Sequence, residues 1–111
     1  MSRLAIYPGS FDPVTYGHLD VIKRAQSIFG QVLVAVANNA SKEYIFSLEE
    51  RVDMLKEVTR GFEGVEVDHF DGLVTEYAKQ KKTNVLIRGL RMTSDFDYEF
   101  QMALTNRRLA E

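Results

Sequence analysis

Residues 32–37, Val-Leu-Val-Ala-Val-Ala, are apolar at every position and rich in β-branched side chains. A strand with one wet face alternates apolar and polar residues. One that does not alternate must be covered on both faces, as inside a parallel sheet. Three more apolar runs share the chain with it: Leu4-Ala5-Ile6-Tyr7, residues 65–70 and Val85-Leu86-Ile87. Each is read as a strand, with residues 32–37 central.

The segments between them carry helical spacing. Leu19, Ile22, Ala25 and Phe29 recur every three or four residues opposite Asp20, Lys23, Arg24 and Gln26, and Gly30 supplies a stop. Ser47-Leu48-Glu49-Glu50 reads as a capping box that opens a helix with Leu48, Val52 and Leu55 on its buried stripe. Residues 73–81 form a shorter helix through Val74, Tyr77 and Ala78. Ser94 caps a last one that turns Phe96, Phe100, Ala103 and Leu104 inward. Four strands alternating with four helices predict an α/β fold, an open parallel sheet with right-handed crossovers and helices on both sides. The whole of 1–111 is read as one domain.

Charge and composition exclude several classes. A net charge of −2 argues against a general nucleic-acid or membrane-surface binder. No run of the sequence reaches membrane-spanning length. With no cysteine there is no disulfide framework and no thiol nucleophile, and any metal would come through oxygen ligands or on a substrate. These features predict a cytoplasmic protein with no metal site of its own.

In open parallel sheets ligands lie beyond the carboxyl ends of the strands, and the reactive residues of this chain follow those ends. After the first strand comes Tyr-Pro-Gly-Ser-Phe-Asp-Pro-Val-Thr-Tyr-Gly-His, residues 7–18. Gly9 and Gly17 allow close backbone approach, Ser10 and Thr15 offer hydroxyls, and His18 falls where free amides and the helix dipole favour an anion. The stretch is neither a P-loop nor a G-x-G-x-x-G fingerprint. A helix-capping histidine is the competing reading of His18. Lys42 follows the second strand, and Arg88 and Arg91 follow the fourth in Ile-Arg-Gly-Leu-Arg. An arginine abutting a buried strand needs an anionic partner, and together these cations describe a phosphate-binding rim. Lys79, Lys81 and Lys82 are read as a solvated helix end, and His69 as an ordinary strand-end histidine.

The residues 8–18, P-G-S-F-D-P-V-T-Y-G-H, taken with I-R-G-L-R at 87–91 and D-F-D-Y-E at 95–99, resemble bacterial pantetheine-phosphate adenylyltransferases. The T-x-G-H element alone indicates only the wider nucleotidyltransferase superfamily; the second motif narrows it. The resemblance implies a Rossmann-like nucleotidyltransferase fold. It implies an enzyme of coenzyme A biosynthesis that moves AMP from ATP to 4′-phosphopantetheine, giving dephospho-coenzyme A and pyrophosphate, with Mg2+ carried on the ATP phosphates. By motif, Ser10, Phe11, His18, Gly89, Leu90, Arg91 and Glu99 would hold ATP, and Ser10, Lys42, Val74 and Arg88 the acceptor. His18, Lys42 and Arg88 would carry catalysis. The same resemblance implies a hexamer and inhibition by coenzyme A. It also implies a fifth strand, a serine-rich turn and closing helices beyond the position of Glu111, so the chain is expected to be incomplete at its C-terminus relative to that family.

Charge then dictates the mechanism expected. An acceptor phosphate with a second pKa near 6 is largely dianionic at neutral pH and needs no general base. His18 is expected to donate to the transition state, with Lys42 and Arg88 clamping two anions for in-line attack and no covalent intermediate. The alternatives are a cytidylyltransferase of the same superfamily and a fragment that binds nucleotide or phosphopantetheine without turnover.

Overall fold

The computed structural model describes residues 3–88. Within them the order is β1 (Arg3–Gly9), α1 (Tyr16–Phe29), β2 (Gly30–Ala37), α2 (Leu48–Val58), β3 (Val65–Phe70) and α3 (Val74–Gln80). The expected helix after Ser94 lies outside the described residues.

The sheet is parallel. β2 sits between β1 and β3, pairing Ala5 with Val32 on one side and Val32 with Val65 on the other. Residues 32–36 are all buried, as a strand without alternation must be. The fourth apolar run, residues 85–87, lies on the opposite side of β1 from β2. Ile6 bridges Leu86 in parallel, the Ile6 amide donates to Val85 (2.9 Å), and the Ile87 amide donates to Ile6 (2.8 Å). The spatial order is therefore 85–87, β1, β2, β3. Even-numbered positions of β1 bond toward residues 85–87, so Pro8, which has no amide to give, takes nothing from the β1–β2 ladder.

This order decides which face each helix covers. Two right-handed crossovers step from β1 to β3 and put α1 and α2 on one face. There Val21, Ile22, Ala25 and Leu55 pack on Ala5, Tyr7, Val32, Val34, Val36, Val85 and Ile87. The third crossover runs back past β1, so α3 covers the other face, with Tyr77 and Ala78 against Ile6, Leu33, Ala35, Phe70 and Leu86. Fully burying side chains such as Ile22 or Leu55 contributes about 2 kcal/mol each. The chain reverses direction across the sheet between β1 and residues 85–87, and that switch point is where such sheets form their crevice.

On the α3 face Phe70 and Tyr77 stack with centroids 5.0 Å apart, and the Tyr77 hydroxyl donates to Asp68 at 2.7 Å. Burial opposes the charge on Asp68. The Tyr77 hydroxyl, the His69 amide and the Lys81 ammonium outweigh it and hold the carboxyl below its ordinary value. Burial first, and then the Asp68 carboxylate, push the Tyr77 phenol well above its ordinary value. A carboxyl depressed in the native state contributes stability above its unfolded pKa and loses it as pH falls through the folded one. Tyr77→Phe is thus expected to cost about 1 kcal/mol near neutral pH, a figure reduced for the partial exposure of Asp68. The deficit should shrink below the ordinary aspartate pKa, as read from urea unfolding at neutral and acidic pH. Lys81, read from sequence as solvated, lies 3.7 Å from Asp68.

Candidate functional site

All strands point the same way, so the loops after β1, β2 and β3 and the described residue after 85–87, Arg88, emerge along one rim. The β1–α1 loop is the most constrained. A Cβ on Gly9 would meet the Phe11 ring at 3.2 Å, closer than an ordinary contact. The Phe11 backbone is left-handed (φ 49°) although it is not glycine, a conformation that costs about 1 kcal/mol and persists only where its surroundings impose it. Burial of the ring, 2% exposed, and an edge contact with Tyr7 at 5.3 Å supply part of that constraint. Ser10, Phe11, Asp12, Thr15 and His18 then line one cleft of about 460 Å³.

His18 is the third residue of α1. Thr15 caps the helix by accepting from the His18 amide (3.3 Å), and the imidazole Nδ1 accepts from the Thr15 amide (2.9 Å). The capping reading is therefore correct, and it carries a chemical consequence. A backbone amide is always a donor, so Nδ1 bears no proton in this arrangement, and the neutral ring carries its proton on Nε2. The cap thus selects the tautomer that makes Nε2 a donor. Phe11, edge-on to the ring at 4.9 Å, holds its orientation.

Lys42 lies on the β2–α2 loop, exposed, its amide bonded to Asn39 O at 3.0 Å and its ammonium 5.7 Å from the Tyr44 ring. Arg88 is exposed directly after Ile87, beside the end of β1 at the switch point. Val74 lines a second cleft of about 510 Å³ with Asn38, Phe70 and Leu73, and also packs against the core. Gly89, Leu90, Arg91 and Glu99 lie outside the described residues. His69 is exposed on β3, and among the described residues no trio of His, Asp and Glu is grouped to hold a metal ion. Asp12, the carboxylate lining the first cleft, has both oxygens taken up by the Ile45 (2.6 Å) and Phe46 (2.8 Å) amides.

Two residues were not singled out from the sequence. Arg51, on α2, is 1% exposed; its guanidinium donates to Phe46 O, Ser10 O and Ala37 O and stacks 3.8 Å over Tyr44. Asp12 is the other. The signal for Arg51 was present: it lies three residues after Leu48 and four before Leu55, a charge on the buried stripe.

A parallel sheet with a switch point, a T-x-G-H helix start and cations at the strand ends defines a nucleotidyltransferase-type α/β protein, and comparison with known proteins agrees. The cytidylyltransferase-like family matches residues 6–111. Among solved structures, the lipopolysaccharide core biosynthesis protein from Thermoplasma volcanium superposes with a TM-score of 0.67 at 18% identity, covering 98% of this chain and 89% of that one. A NadR protein in complex with NAD and AMP-PNP gives 0.58 at 21% identity, covering 96% and 28%. At such identities these two show the fold alone.

Curated relatives are much nearer. Phosphopantetheine adenylyltransferase of Caldanaerobacter subterraneus subsp. tengcongensis is 59% identical over 107 residues, 96% of this chain and 67% of the relative. That of Desulfatibacillum aliphaticivorans is 54% identical over 109 residues, 98% and 62%. The chain belongs to the phosphopantetheine adenylyltransferase family. It spans roughly two thirds of the length of these relatives. Among the described residues no helix is long and apolar enough to cross a membrane.

Proposed function

We propose that the protein transfers the adenylyl group of ATP to the phosphate of 4′-phosphopantetheine, releasing pyrophosphate and forming dephospho-coenzyme A. The observation that carries the reading is the hydrogen bond from the Thr15 amide to His18 Nδ1. A ring whose Nδ1 is occupied by its own helix cap offers Nε2–H to an anion and is poorly placed to act as a base through Nδ1. Such a donor suits a reaction whose nucleophile is already an oxyanion.

Ser10 and Phe11 present the strained loop to the nucleotide phosphates, and His18 stabilises charge gathering on the α-phosphoryl oxygens. Lys42 and Arg88 draw the acceptor phosphate and the α-phosphate into line, each neutralising part of the repulsion between two anions. Gly89, Leu90, Arg91 and Glu99 complete the nucleotide side, and Val74 borders the pantetheine arm. Asp12, the carboxylate of the first cleft, is already hydrogen-bonded to two amides, and magnesium would arrive on the ATP phosphates. Bound there, it would neutralise charge on the phosphates. The same reading takes the assembly as a cytoplasmic homohexamer and coenzyme A as an inhibitor.

Incubation with magnesium, ATP and 4′-phosphopantetheine should release pyrophosphate in step with dephospho-coenzyme A, with no covalent adenylyl-enzyme detected by intact mass. Release only with CTP and a polyol phosphate would overturn the acceptor and nucleotide assignment, and binding without release would overturn catalysis.

A further inference from the structure

We propose that Arg51 and Asp12 are positioning residues that lock the loop carrying Lys42 to the loop carrying Ser10 and Phe11. Arg51 is 1% exposed, and among the described residues no carboxylate pairs with it. A buried guanidinium is costly to desolvate, and for stability alone an apolar side chain of equal volume would serve as well or better. Its compensation comes from three backbone carbonyls on separate segments: Ser10 O after β1 and Ala37 O at the end of β2, both at 3.0 Å, and Phe46 O before α2 at 3.2 Å. One planar fork therefore sets the spacing of two strand ends and the intervening loop.

Asp12 ties the same segments from the other side, reaching from the β1–α1 loop to the Ile45 and Phe46 amides. Tyr44 stands between. Its ring stacks on Arg51 at 3.8 Å and its hydroxyl accepts from the Asn39 amide at 2.9 Å, so the turn that bears Lys42 rests on the guanidinium. The Ser10–Phe11 peptide is trans, so a carbonyl held by Arg51 directs the Phe11 amide the opposite way, and the bond polarises it as a donor. Lys42 is exposed and on a loop; without this brace its ordering would have to occur on binding.

The kinetic part of the test rests on the adenylyl-transfer reading; the exchange part does not. Arg51→Lys keeps the charge but cannot fork or stack, and Asp12→Asn attacks the lock from the other loop should the arginine variant fail to fold. In either, the amides of Asn39, Ile45 and Phe46 should exchange with solvent at least about tenfold faster, while those of the α1 interior keep their wild-type rates. In a cycle with Lys42→Ala, the double variant should lose kcat/KM by at least about tenfold less than the product of the single losses. A purely structural arginine would lower stability without such coupling. Wild-type exchange at the three amides in both variants, or losses that multiply within about threefold, would overturn the lock. A wild-type protein without turnover would overturn the reaction instead and leave the exchange rates to decide.

Discussion

His18→Gln is expected to lower kcat by on the order of 100-fold or more while ATP affinity stays within about threefold of wild type. Glutamine is the informative replacement because its side-chain carbonyl can accept the Thr15 amide as Nδ1 does, completing an ordinary capping box. The helix start is then preserved and only the imidazole Nε2 donor is removed. His18→Ala should show the same loss of turnover and, in addition, lose about 0.5–1 kcal/mol of stability with the cap. Single-turnover pyrophosphate release, calorimetric ATP binding and thermal unfolding separate the three quantities. Lost ATP affinity with unchanged turnover would refute the assignment of His18 to the transition state.

Gly64→Ala is expected to destabilise the fold by about 2–4 kcal/mol. Gly64 has φ 77°, where an alanine costs about 1 kcal/mol. Its added Cβ would fall well inside 3.0 Å of the Gly30 carbonyl oxygen. That neighbour is backbone at the start of β2 and cannot swing aside, so overpacking adds about 1–3 kcal/mol. The Gly64 carbonyl also accepts from the Val32 amide at 2.9 Å, so any shift disturbs the first bond of the β2–β3 ladder. Gly61→Ala is the control, with nothing within 4 Å of its Cβ and no positive φ; it should be neutral or slightly stabilising. Equal melting temperatures for the two variants would show that the close approach of Gly30 and Gly64 does not constrain the sheet.

Elements whose signals are local are legible in the sequence. Residues 65–70 form β3 with those bounds, Ser47 and Glu50 make the reciprocal cap of α2, and Gly30 ends α1 with φ 85°. Strand ends were less legible. β1 runs on through Pro8 and Gly9, two residues with poor strand propensity, because their pairing with Ala35 and Val36 outweighs it. The site divided the same way. Ser10, Phe11 and His18 stand in one short motif and do share a cleft. Arg51 is hidden from helical periodicity, which asks which positions are apolar and registers a charged residue on the buried stripe as an interruption.

The order of residue types along the chain was sufficient to place β1 to β3, α1 to α3 and the cap of α2, since each depends on spacing within some twenty residues, and the family, since its motifs are read directly from the residues. Tertiary structure alone decided that residues 85–87 join β1 on the side away from β2, that α3 therefore covers the opposite face, and that Arg51 spans Ser10, Ala37 and Phe46. Those outcomes turn on contacts between segments far apart in sequence, where crossover handedness and the burial of charge select among arrangements that local patterns leave equal.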